Sequence, residues 1–150
     1  MDLAAAGVVP PMPHPPHDDI SRPAKPVLVA GATGYIGRRL VKELIDTGHQ
    51  VRAIARNPAK LADEDWADLV DIVQGDVLNP LSLANAFKGI GGAYYLVHSI
   101  GGEGDWEDRD RRAAANFRDA AADAGASQII YLGGLGDDAG SSLSPHLHSR

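Results

Sequence analysis

An apolar run that stops abruptly in a glycine-rich turn constrains the fold of this chain more than any other feature. The run extends from Pro26 to Ala30 and continues into Gly31-Ala32-Thr33-Gly34-Tyr35-Ile36-Gly37. A short, apolar and partly β-branched run is typical of a strand buried on both faces of a sheet. From Tyr35 onward, apolar residues recur at helical spacing as far as Gly48, a residue type suited to a helix end. The sequence therefore predicts a strand, a glycine turn and a helix in succession.

The glycine spacing in this turn, G-x-x-G-x-x-G, indicates a phosphate-binding loop. Gly31 would permit the tight turn, Gly34 would let the backbone approach a pyrophosphate, and Gly37 would let helix and strand pack closely. The free N–H groups of the helix amino end would point at the phosphate. The sequence lacks the G-x-x-x-x-G-K-[ST] pattern of a P-loop ATPase. We therefore predict that the pyrophosphate of NAD(P) is held by Gly31, Thr33, Gly34, Tyr35, Ile36 and Gly37.

The rest of the chain alternates between strand and helix patterns. Asn79 is expected to cap one helix, with Pro80 at its first helical position. Alternating strands and helices imply a parallel sheet with right-handed crossovers and helices on both faces. The predicted fold class is α/β, a Rossmann-type doubly wound parallel sheet with about five strands present and the C-terminal part missing. Further strands are predicted at 50–55, 69–73, 92–97 and 127–132, and further helices near Pro58, at 80–88 and at 106–124.

The domain organisation follows from a change in composition near Lys25. Residues 1–25 are rich in proline, with His14 and His17 among the prolines, and we expect a disordered leader because such a segment buries little apolar surface. Two histidines without a third ligand do not make a metal site, and none is predicted. Residues 26–150 are expected to form one NAD(P)-binding Rossmann domain, incomplete at its C-terminal end.

Composition excludes several other classes of protein. Of the 150 residues, 44% are hydrophobic and 23% charged, and no apolar run is long enough to span a bilayer. The formal net charge of -6 argues against nucleic-acid binding. The sequence contains no cysteine, which excludes disulfides and thiolate chemistry. We expect a cytoplasmic protein that binds neither membrane nor nucleic acid, and no feature indicates its oligomeric state.

The choice of cofactor is usually made where the second strand ends. An acidic residue there binds the ribose 2′-hydroxyl of NAD, whereas a basic residue accommodates the 2′-phosphate of NADP. Here Arg56 follows the strand and no carboxylate stands beside it. Arg56, aided by Arg38 at the start of the first helix, favours NADP over NAD through charge-assisted hydrogen bonds. The alternative is that both arginines are solvated surface residues.

Four motifs in order resemble the short-chain dehydrogenase/reductase superfamily. They are VLVAGATGYIG at 27–37, VRAIARNPAK at 51–60, GDV at 75–77 and IIYLGG at 129–134. The similarity is to the extended and atypical branches, which include NAD(P)H-binding NmrA-like and NAD-dependent epimerase/dehydratase-like proteins.

This resemblance implies further cofactor-binding residues. Asp76 and Val77 would lie beside the adenine. The alternative for Asp76 is a turn-forming aspartate after Gly75. Asn116 matches a position where the superfamily commonly has asparagine. The floor near the adenosine ribose and nicotinamide would be formed by Leu96, Val97 and His98.

The catalytic half of the superfamily pattern fits poorly. Its members commonly use a serine after the fifth strand and a Tyr-x-x-x-Lys pair, whereas here the strand ends in Gly133 and Gly134. The fitting four-residue spacing near the end is His146 to Arg150, so His146 is a weak catalytic candidate. The alternative is an exposed loop residue without a catalytic role, which is the more common state of a histidine in a loop. The main hypothesis is an oxidoreductase or epimerase-like enzyme that transfers hydride to or from an unknown small molecule. The alternative is a non-catalytic NADP(H)-binding sensor of the NmrA-like type.

Overall fold

A computed structural model describes residues 25–97 and 106–133, which form a parallel β-sheet flanked by helices. The sheet has five strands in the order β3-β2-β1-β4-β5, and all neighbouring strands run parallel. The strands are β1 (Val27–Ala30), β2 (Val51–Ala55), β3 (Asp71–Gln74), β4 (Gly92–Tyr95) and β5 (Gln128–Tyr131). The helices within these residues are α1 (Tyr35–Asp46), α2 (Pro80–Ala86), α3 (Trp106–Asp123) and two short 3₁₀ helices, Pro58–Leu61 and Ala67–Leu69. The predicted Rossmann-type α/β fold is confirmed.

Each face of the sheet is covered by its own apolar core. On one face, Leu28 of β1 belongs to a cluster with Phe87 and Phe117, which α2 and α3 bring to the sheet. On the other face, Val29 belongs to a cluster with Val41 of α1. Neighbouring β1 residues thus contribute to opposite cores, as the period of two in a strand requires. This arrangement explains why β1 is apolar at every position.

The predicted start of α2 and the glycine predicted after α1 agree with the structure, whereas α2 ends at Ala86 and not at about Lys88. The side-chain oxygen of Asn79 accepts hydrogen bonds from the N–H groups of Leu81 (3.0 Å) and Ser82 (3.3 Å), and Pro80 is the first residue of α2. Gly48, just beyond α1, has φ +87, a conformation that favours glycine. Local capping residues therefore define where α1 ends and where α2 begins.

The third strand begins later than the sequence pattern predicts. Leu69 was expected to open the strand, but it belongs to a 3₁₀ helix, and its side chain is 67% exposed. The reason is a local hydrogen bond: the Leu69 N–H donates to the Trp66 carbonyl at 2.9 Å instead of to a neighbouring strand. Trp66, only 4% exposed, anchors this turn in the core.

The fourth strand ends earlier than predicted. Its pairing with β1 stops at Tyr95, which lies opposite Ala30, the last residue of β1. The Leu96 N–H still donates to the Ala30 carbonyl at 2.9 Å, so the chain leaves the sheet gradually. Residues 1–24 of the expected leader lie outside the described residues. The same holds for the segments 98–105 and 134–150. Among the helices within 25–97 and 106–133, none combines the length and apolar character needed to cross a bilayer.

Candidate dinucleotide-binding site

The carboxyl ends of the inner strands meet along one edge of the sheet. Ala30 at the end of β1 pairs with Ile54 of β2 on one side and with Tyr95 of β4 on the other. Ala55 at the end of β2 pairs with Gln74 of β3. The segments that follow these strands therefore emerge side by side. This edge is where open α/β sheets bind their ligands.

The first glycine of the turn is required by its conformation and by its surroundings. Gly31 has φ +97, which L side chains rarely adopt. A Cβ atom added there would lie 2.9 Å from the carbonyl oxygen of Leu96. The Gly34 N–H donates to the Gly31 carbonyl at 3.0 Å and closes the turn. The glycine turn therefore packs directly against the segment that follows β4.

The third glycine brings α1 against the start of the turn. Gly37 is buried, and a Cβ atom on it would lie 2.1 Å from the Gly31 carbonyl oxygen and 2.8 Å from Cα of Ala32. Real Cβ contacts are never that short. The predicted role of Gly37 in close packing of helix against strand agrees with this geometry.

The middle glycine differs from the other two because the protein itself does not require it. Gly34 has φ -83 and ψ 167, which any residue can adopt, and a Cβ atom on it would meet only the Gly31 carbonyl oxygen at 3.4 Å. Its open side faces solvent, between the exposed residues Thr33 and Tyr35. Because this position has no side chain, the space beside Gly34 is open to a ligand from solvent.

The amino end of α1 provides a partial positive charge that suits an anion beside Gly34. Gly34 is the N-cap residue, no side chain caps the helix, and its first turn carries no acidic residue. The first N–H groups of a helix have no acceptor within it, and the helix dipole makes this end positive. Together with the open space at Gly34, these donors fit a pyrophosphate. Ile36, 52% exposed, lies in the same turn.

An exposed cation, Arg56, follows the end of β2. Arg56 is exposed, and within the described part of the chain its guanidinium group forms no ion pair. Its backbone carbonyl accepts a hydrogen bond from Nε2 of Gln74 at 3.3 Å, which links it to the end of β3. The position of Arg56 is therefore fixed by the sheet while its side chain is available to an anion.

Arg38, the second arginine proposed from the sequence, is not free. Its Nε lies 3.0 Å from Oε1 of Glu64, with the two side chains 46% and 21% exposed. Glu64 stands between the two 3₁₀ helices that connect β2 to β3. The neighbouring Arg39 is engaged as well, since its guanidinium lies 4.1 Å from the ring centroid of Tyr35. No sequence motif connects Glu64 to α1, so its pairing with Arg38 was not predicted.

Hydrogen bonds between side chains and backbone fix the segment that follows β3. Oδ1 of Asp76 accepts the Leu78 N–H at 2.9 Å, and the Asp76 N–H donates to Oγ of Ser82 at 3.0 Å. Asp76 thus forms the turn that the sequence allowed as an alternative, and a contact with adenine stays a prediction. Nδ2 of Asn116 donates to the Val77 carbonyl at 3.2 Å, which ties this segment to α3.

A buried tyrosine, Tyr95, lies at the end of β4 beneath this edge. Tyr95 is 3% exposed, its ring centroid lies 4.9 Å from that of Phe117 and 6.0 Å from that of Tyr131, and its hydroxyl has no hydrogen-bond partner among the described residues. Burial raises the pKa of Tyr95, and the nearby Asp110 and Tyr131 raise it further. Tyr95 therefore stays neutral at physiological pH and belongs to the core.

The structure brings most of the predicted cofactor-binding residues to one edge of the sheet. The glycine turn, Arg56, Asp76 and Val77 all lie there, together with Leu96 and Val97 after β4. His98 and the weak catalytic candidate His146 lie outside the described residues. Within the described ranges, no group of three or more His, Asp or Glu side chains could hold a metal ion.

The parallel sheet, the glycine turn and the uncapped helix define a Rossmann-type dinucleotide-binding protein. A protein-family model described as NAD(P)H-binding matches residues 31–148, and the chain belongs to this family. Its homologues and structural neighbours lie in the extended short-chain dehydrogenase/reductase, NmrA-like and epimerase-like group. The resemblance inferred from the four sequence motifs is confirmed.

Two curated relatives are reductases from plants. The chain is 33% identical over 147 residues to the chloroplastic divinyl chlorophyllide a 8-vinyl-reductase of Zea mays, covering 89% of this chain and 37% of that protein. It is 31% identical over 116 residues to cinnamoyl-CoA reductase 1 of Oryza sativa subsp. japonica, covering 73% of this chain and 34% of that protein. The chain thus spans just over a third of the length of these relatives.

Two solved structures with a bound cofactor share the fold. The triphenylmethane reductase of Citrobacter sp. complexed with NADP(H) superimposes with a TM-score of 0.65 at 29% identity, covering 83% of this chain and 43% of that one. The NADPH-dependent quinone oxidoreductase of Escherichia coli complexed with NADPH gives a TM-score of 0.60 at 28% identity, covering 70% of this chain and 35% of that one.

Proposed function

We propose that this chain provides the cofactor-binding part of an NADP(H)-preferring oxidoreductase that acts on a small molecule by hydride transfer. The observation that carries the cofactor preference is Arg56 directly after β2, an exposed cation that forms no ion pair with the described residues. The two residues beside it, Ala55 and Asn57, bear no carboxylate that could bind a ribose 2′-hydroxyl in its place. A guanidinium group binds a phosphate through short, charge-assisted hydrogen bonds.

The oxidoreductase part of the proposal is supported by the relatives. The two plant homologues are named as reductases, and the two cofactor-bound neighbours are a reductase and a quinone oxidoreductase. The nicotinamide supplies the hydride, whereas the protein supplies binding and orientation. In this chain the glycine turn and the amino end of α1 would bind the pyrophosphate, and Leu96 and Val97 would support the adjacent part of the cofactor.

Calorimetric titration with NADPH and, separately, with NADH tests the cofactor preference. Replacing Arg56 with alanine should weaken NADPH binding by about 1.5–3 kcal/mol, the scale of hydrogen bonds to charged groups, and leave NADH nearly unchanged. Arg118→Ala is a matched control because Arg118 is also an exposed arginine, on α3, and its partner is the adjacent Asp119. Equal losses for NADPH and NADH in Arg56→Ala would contradict the role of Arg56.

A non-catalytic NADP(H) sensor is the second candidate. It is favoured by the residues that follow β5, since Gly133 and Gly134 stand where related dehydrogenases commonly have a serine. Both candidates predict binding of NADPH, so turnover separates them. Oxidation of NADPH in the presence of carbonyl, enone or quinone substrates would support the enzyme. Tight binding without turnover across that set would support the sensor.

A further inference from the structure

The two arginines that the sequence suggested for the 2′-phosphate differ in their ionic partners. Arg56 has no ionic partner within the described residues, whereas Arg38 is paired with Glu64 at 3.0 Å. The ion pair as a whole carries no net charge, so a paired guanidinium attracts a second anion only weakly unless the pair opens. The site therefore holds one cation that is ready for a phosphate and one that is already occupied.

The chain path explains how Glu64 reaches this place. After Arg56 the chain turns into the 3₁₀ helix Pro58–Leu61, and Leu61 is fully buried in the same core as Val41 of α1. The Glu64 N–H donates to the Leu61 carbonyl at 3.2 Å, and the Glu64 carbonyl accepts the Ala67 N–H at 3.0 Å. The backbone of Glu64 is thus fixed between the two 3₁₀ helices, and its carboxylate is held beside the amino end of α1.

The geometry points to Glu64 as a residue that limits the preference for the 2′-phosphorylated cofactor by competing with the phosphate for Arg38. This inference rests on the proposed NADP(H) site. The carboxylate bonds the Nε edge of Arg38, which is half-exposed, so the pair is accessible to an incoming anion. A phosphate dianion that approached Arg38 would meet the negative charge of Glu64 within a few ångströms, and like charges at that distance repel.

This arrangement has a specific consequence for NADH. NADH carries no 2′-phosphate, so the Arg38–Glu64 pair can stay closed when it binds. Removing the charge of Glu64 should therefore change the affinity for NADPH and not that for NADH. A residue with only a structural role would alter both affinities together, because both cofactors use the same glycine turn.

The experiment compares NADPH and NADH binding by calorimetry in wild type and in Glu64→Gln, which keeps the shape of the side chain and removes its charge. We expect NADPH to bind about three- to tenfold more tightly and NADH to change by less than about twofold. The gain should shrink as ionic strength rises, since the charges are exposed to screening. If Glu64→Gln does not fold, as judged by circular dichroism, Glu64→Met provides a second uncharged side chain of similar length.

Asp46→Asn is the matched control. It also removes one negative charge from an ion pair, that of Asp46 with Lys42, but at the far end of α1. It should leave the affinities for both cofactors unchanged. A gain in NADPH affinity equal to that of Glu64→Gln would mean that net charge alone is responsible, and it would overturn the inference.

A double variant tests whether Glu64 acts through Arg38. The combined variant Arg38→Met/Glu64→Gln should bind NADPH about as tightly as wild type, because the gain of Glu64→Gln depends on the released Arg38. A gain kept in the combined variant would overturn the competition. Weaker NADPH binding by Glu64→Gln would mean that Glu64 positions Arg38 for the phosphate instead. If NADPH is preferred through Arg56 but Glu64→Gln leaves the NADPH affinity unchanged, this inference alone would be overturned. A folded wild type that binds no NADPH would overturn the proposed function and this inference with it.

Discussion

The carbonyl oxygen of Gly31 lies 2.1 Å from the point that a Cβ atom on Gly37 would occupy. The two outer glycines of the turn therefore form one packing unit, in which the amino end of α1 rests on the backbone that leaves β1. Gly34 between them has no such contact and adopts a conformation open to any residue. The first and third glycines thus serve the fold, while the middle one leaves room for a ligand.

Gly37→Ala should destabilise the fold strongly. The new methyl group would overlap backbone atoms of Gly31 and Ala32, which cannot move without displacing α1 from the sheet. Overpacking of this kind costs about 3 kcal/mol or more when backbone must shift. Urea unfolding monitored by circular dichroism measures the loss. A loss below about 1 kcal/mol would show that α1 can move away from the turn without cost.

Gly34→Ala is the control for that substitution. It should cost only about 0.5–1 kcal/mol of stability, since alanine is a poorer N-cap than glycine. Calorimetry should nevertheless show NADPH binding weakened at least about tenfold, because the methyl group would point into the proposed pyrophosphate space. Unchanged NADPH binding in this variant would place the pyrophosphate elsewhere.

Arg52→Met should destabilise the sheet edge at β3. Nε of Arg52 lies 2.6 Å from Oδ2 of Asp71, and Nη1 donates to the carbonyls of Ala86 and Lys88, both at 2.9 Å. The arginine thus binds the carboxyl end of α2 to β2 and β3. Its loss leaves these acceptors without their donor, and we expect the free energy of unfolding to fall by about 1.5–3 kcal/mol.

Chemical denaturation of Arg52→Met should be compared with that of Arg118→Met. Arg118 pairs with Asp119 on the surface of α3, with the two side chains 70% and 63% exposed. Exposed pairs contribute little, so this control should change stability by less than about 0.5 kcal/mol. Similar values for the two variants would mean that Arg52 contributes no more than a surface ion pair.

Tyr95→Phe should stabilise the protein. The substitution removes a buried hydroxyl that has no hydrogen-bond partner among the described residues while keeping the ring contacts with Phe117 and Tyr131. An unsatisfied buried polar group costs roughly 1–3 kcal/mol, so thermal or urea unfolding should show a gain of about 1 kcal/mol. A loss of that size would show that the hydroxyl is bonded in solution.

The stability of Tyr95→Phe should also differ from that of wild type at high pH. Burial raises the pKa of Tyr95 in the folded chain, whereas in the unfolded chain it ionises near its ordinary value of about 10. Above that pH the unfolded state gains stability by releasing a proton that the folded state retains, so wild-type stability falls as pH rises. Tyr95→Phe should lack this part of the alkaline loss, which unfolding curves at neutral and alkaline pH would reveal.

The sequence by itself determined the local elements of this protein. The apolar run of β1, the glycine turn, the Asn79 cap and the glycine after α1 were predicted because each depends on residues close together in the chain. The parallel direction of the strands followed as well, since strands that alternate with helices are joined by crossover connections. The turn also indicated the class of ligand, because its glycine spacing has a direct physical meaning.

Only the tertiary structure decided which distant side chains meet. The pairing of Arg38 with Glu64 and the bonds from Arg52 to the end of α2 join residues that no local pattern relates. The start of β3 also depended on packing, because Trp66 is buried and its carbonyl accepts the Leu69 N–H, which holds Leu69 in a helical turn. Ion pairs and buried contacts depend on how helices and strands are placed against one another. The spacing of apolar residues in the sequence determines each helix or strand but not that placement.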